Sequence, residues 1–152
     1  MCTSIALPLS ELPLELVQRH RLGERLYDRE GTKEFQFHWW QEPSVLPVHR
    51  DGRLEILPWG CKTRRGPLLF GGWVTESQVE AGLLGHPEEV VIPAKLGQHK
   101  GTWFLIVEGI KGVAVQTRDG YVVYMLTERA SNYYRNMTEQ SPMMPVFINQ
   151  VI

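Results

Sequence analysis

Among the residues able to do covalent chemistry, Cys2 stands apart by position. An initiator methionine is commonly removed when the second residue is small, and its removal here leaves a cysteine with a free α-amine. Such a 1,2-aminothiol has an amine of pKa roughly 8 and a thiol near roughly 8.5, so both reactive forms exist at neutral pH. The amine can condense with an aldehyde to an imine, and the thiolate then closes a five-membered thiazolidine. Closure is favoured because the second nucleophile is already held beside the first. The competing reading is a packed thiol in a first strand.

Other candidate chemistry is sparse. The five histidines (His20, His38, His49, His86 and His99) have no HxxH or HxxxH spacing and no neighbouring cysteine, so no metal site is expected. GxxxxGK[ST], GxGxxG and GxSxG are all absent, and no cofactor is expected. Glu88-Glu89 read as a solvated turn before a strand. Trp39-Trp40, beside Phe37 and His38, fit core packing or a stacking platform for single-stranded bases. Trp59 lies within a PWGC run, after which Lys62, Arg64 and Arg65 form a basic loop. That loop fits phosphate contacts or plain solvation, and Cys61 reads as a packed thiol.

These residues must be positioned by one domain. At 152 residues, with 43% hydrophobic and 22% charged, the chain has ordinary globular composition for a single unit spanning 1–152. A net charge of −1 gives no global pull toward polyanions, so any nucleic-acid site is a local patch. Two cysteines without a secretory signal indicate a reduced, cytoplasmic protein. No stretch reaches the roughly 18 apolar residues of a membrane span, and a monomer is the default expectation.

The pattern predicts an α+β, β-rich domain of short antiparallel strands and hairpins with a few short helices. Segment 2–7 is a strand. A helix follows Pro13, with Leu14, Val17 and Leu22 as its buried stripe. Residues 27–36 read as a polar surface connection. Asp51-Gly52 and Asp119-Gly120 each have the form of a type I′ hairpin. The second hairpin, with TWFLIVEG before it, predicts a three-stranded meander over 102–126, and VVIPA at 90–94 predicts a buried strand. Thr75 to Gln78 fit a capping box before a helix stopped by Gly85. Thr127 is the expected cap of a helix whose face carries Ala130, Tyr133, Tyr134 and Met137.

Four pieces then fall in a suggestive order. The chain begins Met1-Cys2, and PSVLPVHRDGRLEILPWG sets Pro and Val before a hairpin ending in Trp59-Gly60. Val91-Ile92-Pro93-Ala94 ends a strand, and Thr127-Glu128-Arg129-Ala130 precedes Met144-Pro145-Val146. Together they resemble the SOS-response-associated peptidase (SRAP) family over nearly the full length. The resemblance implies a β-rich fold with a positive groove for single-stranded DNA and Cys2 at its floor. It also implies autoproteolytic loss of Met1 and a thiazolidine crosslink between Cys2 and the ring-opened aldehyde of an abasic site.

The chain departs from that family at its helper positions. Pro58 replaces an Arg, and only Glu76 of an Asn-Ala-Arg-Ala-Glu-Thr motif is kept in GGWVTES. The family's Glu after Pro-Ala falls near Gln98-His99, and its closing His falls at Ser141. His99 is therefore the candidate acid/base in that Glu's stead, against the reading of a solvated loop histidine. Lys95 and Lys100 would extend a phosphate-binding rim. Two functions stand as expectations: an abasic-site crosslinking protein, or a degenerate, phage-encoded SRAP-like domain that binds nucleic acid or a protein partner without crosslinking.

Overall fold

The computed structural model describes residues Met1–Ile152. The elements in chain order are β1 (Ser4–Pro8), α1 (Leu14–Arg19), β2 (Leu26–Arg29), β3 (Thr32–His38), β4 (Val45–Arg50), β5 (Arg53–Pro58), β6 (Trp73–Thr75), α2 (Glu76–Glu80), β7 (Glu88–Pro93), β8 (Leu96–His99), β9 (Thr102–Leu105), β10 (Gly109–Thr117), β11 (Gly120–Arg129), α3 (Asn132–Met137) and β12 (Met143–Pro145). Strand takes 47% of the chain and helix 16%, so the fold is α+β with strands dominant. No helix is long and apolar enough to cross a membrane.

Two sheets carry the architecture. The first has the order β2-β3-β1-β8-β9; the second runs β12-β11-β10-β7-β4-β5, with β6 parallel to β11. Period-two alternation explains how they meet. Ile5 and Leu7 of β1 and Phe35 and Phe37 of β3 enter a core shared with Leu46, Ile92, Ile110 and Met125 of the second sheet. A smaller cluster, including Val74, Val113 and Tyr124, lies on another part of the second sheet.

Local chemistry explains the elements that match expectation. Asp51 and Gly52 take φ of 52° and 72° between β4 and β5, as a type I′ turn requires. Thr75 and Gln78 form the capping box, with Gln78 N donating to Thr75 Oγ1 at 3.2 Å and Thr75 N to Gln78 Oε1 at 2.9 Å. VVIPA lies largely in β7, with Val90 and Ile92 buried.

Several expectations are corrected. Residues 27–36 are no surface connection: β2 and β3 form a hairpin turned at Glu30-Gly31, both at positive φ. Its polarity misleads because Glu34 is buried beneath a partly exposed Arg29, which donates to both of its carboxylate oxygens at 2.9 Å. The meander over 102–126 is broken, since β9 pairs with β8 in the first sheet and only β10 and β11 pair in the second. The β10–β11 turn is Arg118-Asp119, and Gly120 already belongs to β11. Leu14 is exposed at the first position of α1, and Leu16 takes the inward place. Helix α2 ends at Glu80, short of Gly85. Thr127 lies in β11; Ser131 caps α3, and its Tyr133 points to solvent. Glu88 and Glu89 lie within β7 rather than in a turn.

One close crossing fixes the tryptophans. Gly60, at φ 62°, lets segment 59–61 run against 71–73, with Cys61 and Gly71 exchanging backbone hydrogen bonds at 2.9 and 2.7 Å. A Cβ on Gly60 would sit 2.1 Å from Gly71 O, whereas one on Gly52 meets nothing within 4 Å. Gly52→Ala is expected to cost about 1 kcal/mol, the left-handed conformation alone. Gly60→Ala is expected to cost clearly more, because backbone must also move. Paired urea unfolding of the two variants measures the difference.

Candidate functional site at the chain start

Strand β1 is hydrogen-bonded on both edges, Ser4 lying opposite His38 of β3 and Gln98 of β8. The ladder extends outward: Thr3 N donates to Gln98 O and Trp39 N to Thr3 O, both at 2.9 Å. Cys2 follows directly and is wholly buried in the main core. Its S–H donates to Ser4 O at 3.1 Å, and Trp73 Nε1 donates to its carbonyl at 2.9 Å. Gly97 gives the sulfur its room, since a Cβ there would lie 3.1 Å from Cys2 Sγ and 2.7 Å from the Phe104 ring.

Above Cys2 the amine of Met1 is held by two side chains remote in sequence. It donates to Ser141 Oγ at 2.7 Å and lies 2.9 Å from His99 Nδ1. Ser141 Oγ in turn donates to Met143 O at 2.8 Å. The same His99 nitrogen also meets the Met1 carbonyl oxygen. One tautomer accepts from the amine and the other donates to the carbonyl, so this atom is placed to move a proton at the first peptide unit.

Electrostatics here are set by burial. It pushes the Cys2 thiol up to about 11, outweighing the lowering from backbone hydrogen bonding at Gln98 and Ser4 and from the amine. Burial also lowers His99 and the Met1 amine below their ordinary values. In the amine, Cys2 opposes that lowering and Lys100 adds to it. Tyr134 of α3 has a buried hydroxyl without a hydrogen-bond partner. Its ionisation is opposed first by burial and then by Cys2. At neutral pH the site thus holds a neutral thiol, a neutral imidazole and a neutral phenol.

No known protein family matches this chain, and no curated protein is significantly similar to it. The site is therefore read from its own geometry.

That geometry sorts the residues singled out by sequence. Cys2 and His99 come together at the chain start, with exposed Lys100 at positive φ beside them. Trp39, Trp59 and Trp73 form a cluster with ring centroids 5.0 to 5.5 Å apart. Trp59 is buried with Nε1 on Gly72 O, and Trp39 is half-buried. Trp40 instead stands in solvent. Lys62 donates to the carbonyls of Trp39 and Gln41 and lies 4.7 Å over the Trp39 ring. Arg64 lies 4.0 Å over Phe70, and Arg65 is exposed in the same loop. No three His, Cys, Asp or Glu side chains converge as metal ligands.

Sequence reasoning passed over Ser141, Tyr134 and Trp73 as site residues. Only the family comparison touched Ser141, and contacts spanning 140 residues leave no spacing signal.

The two thiols should separate chemically. Cys61 is partly exposed and Cys2 is sealed, so a thiol reagent at neutral pH should label one cysteine in the native protein and two after unfolding. Folding also holds the Cys2 proton more tightly than the unfolded chain does, whose thiol keeps its ordinary value. That contribution is complete below the unfolded value and is lost as pH rises through about 11. Cys2→Ala should therefore flatten the alkaline fall in thermal stability, leaving the share of the two raised tyrosines.

Proposed function

We propose that this is a cytoplasmic DNA-damage protein of SRAP type, which binds single-stranded DNA and captures abasic-site aldehydes through Cys2 once Met1 is removed. The observation that carries the reading is the clamp on the first residue. His99 and Ser141, the positions that the family resemblance assigns to a helper Glu and a helper His, meet at the amine above a buried cysteine. The residue types differ from the family's, but both positions reach the chain start.

In this reading, loss of Met1 leaves the Cys2 nitrogen one carbonyl away from His99. Neutral His99 takes a proton from the amine, which attacks the aldehyde carbon and yields an imine with loss of water. The sulfur then adds to the imine carbon, the thiol proton ending on nitrogen, and the thiazolidine closes. A thiol held near 11 is a poor nucleophile. The removal of Met1, whose peptide unit lies between the thiol and His99, must therefore admit both solvent and aldehyde. A second reading, nucleic-acid binding without crosslinking, is favoured by the complete burial of that thiol.

The test is a denaturing gel of the protein with single-stranded DNA bearing one abasic site, alongside mass spectrometry of the amino terminus. A retarded band from processed wild type that is lost in Cys2→Ser is the expected result. His99→Ala should slow band formation about 100-fold or more, as loss of a general acid/base does. Processed wild type giving no band sinks the crosslinking reading and leaves the second.

A further inference from the structure

The outer face of the first sheet carries a feature that the Cys2 chemistry does not use. His38 is buried with both ring nitrogens engaged, Nδ1 with Ser4 Oγ at 2.6 Å and Nε2 with Gln36 Oε1 at 2.9 Å. Gln36 Nε2 donates onward to Glu34 Oε2 at 2.9 Å, and Glu34 is gripped by Arg29. The ring therefore cannot turn without breaking a buried network. On it lies Trp40, with centroids 4.7 Å apart and planes within 17°. Trp40 is nonetheless 68% exposed, so one face of the indole rests on a fixed support and the other is open to water.

Beside that open indole is a cleft of about 570 Å³, within the range of small-ligand sites. Arg19, Arg21 and Arg25 line it, together with the carboxylates Glu24 and Glu42. Arg25 is buried and braces the far wall through Gln41 Oε1 and Pro43 O. Gln41 Oε1 also accepts from His38 N at 3.0 Å, so wall and platform share one hydrogen-bond network. Arg19 and Arg21 are exposed, Arg19 paired with exposed Glu15 on its own helix. Lys62, outside the cleft lining, is fastened to the backbone carbonyls of residues 39 and 41 on either side of Trp40 in the chain.

An aromatic plane with a free face beside exposed guanidinium groups is the chemistry of a nucleotide site: the base stacks and the phosphates take the arginines. We infer that Trp40 and the Arg19–Arg25 cleft form a stacking subsite for an unpaired nucleotide of single-stranded DNA. Position ties this to the reactive end, since Trp39 pairs with Thr3, leaving Trp40 one residue beyond the ladder at the Cys2 end of β1. The inference rests on the single-stranded DNA reading and assigns its contacts to α1 and the turn after it as well as to the 62–65 loop.

The test uses intact oligothymidylate without any abasic site, labelled for fluorescence anisotropy, and the full chain in a Cys2→Ala background, so crosslinking plays no part. Trp40→Ala should weaken binding roughly tenfold and Trp40→Phe much less. The double variant Arg19→Ala/Arg21→Ala should reduce the slope of log K against log salt by about 1.4, the share of two phosphates. All three residues are exposed, and matching circular dichroism spectra confirm the fold of each variant. Wild-type affinity in Trp40→Ala, an unchanged salt slope in the double variant, or no binding of the intact oligomer overturns the inference. An abasic-site crosslink formed by the same Trp40 and Arg19/Arg21 variants in a chain that keeps Cys2, beside any of these results, leaves the Cys2 reading standing. Loss of the crosslink with Trp40-dependent binding retained does the reverse.

Discussion

The backbone pairing of β1 on both edges is the constraint on which the other features depend. A chain end is ordinarily the least ordered part of a domain, but here the first strand is an inner strand of the first sheet. Five register positions join it to β3 and three to β8. With the backbone fixed, Cys2 has no choice of depth, and its sulfur is committed to the space that Gly97 leaves open. The same pairing brings His99, the last residue of β8, to the first peptide unit, so the clamp is a consequence of sheet register.

The two faces of that sheet solve different problems. Inward, Ile5, Leu7, Phe35 and Phe37 supply apolar packing. Outward, Ser4, Gln36, Glu34 and Arg29 join His38 in a continuous polar row, each member hydrogen-bonded to the next. Buried polar groups that are fully satisfied rigidify a structure, whereas a single unpaired one destabilises it. Aromatic rings roof the row: Trp40 stacks on His38, and Tyr27 and Trp103 meet it edge-on. Tyr134 is the contrast, a buried hydroxyl left without a partner beside the thiol.

What the sequence revealed follows the range of the interaction. Asp51-Gly52 and the Thr75–Gln78 box are settled within four residues by backbone conformation and capping, and both were legible. The α+β class was legible from the same short strands and turn signals. The β2–β3 hairpin was not, because Glu34 looks solvent-loving and is buried only through its pairing with a partly exposed Arg29. Strand β9 was assigned to the wrong sheet because a short apolar run fits either neighbour. Trp39 and Trp40 differ in fate because the chain leaves β3 after His38, so one ring turns into the Trp59–Trp73 cluster and the other lies back on the strand. Cys2 was legible as a candidate from its position, but the imidazole and hydroxyl that meet the first residue lie 98 and 140 residues away.

Those separations tie the site to the completed fold. The pairing of β1 with β8 and the Ser141 contact close long loops, and closing loops of such span carries a large entropic cost. Until they form, Cys2 is an ordinary accessible thiol with a free run of solvent around it. Its burial, its raised proton affinity and its neighbouring imidazole all depend on those closures. The chemical quietness of this cysteine therefore reports completion of the fold, and any partly folded or truncated form would carry the sulfur without either its cover or its base.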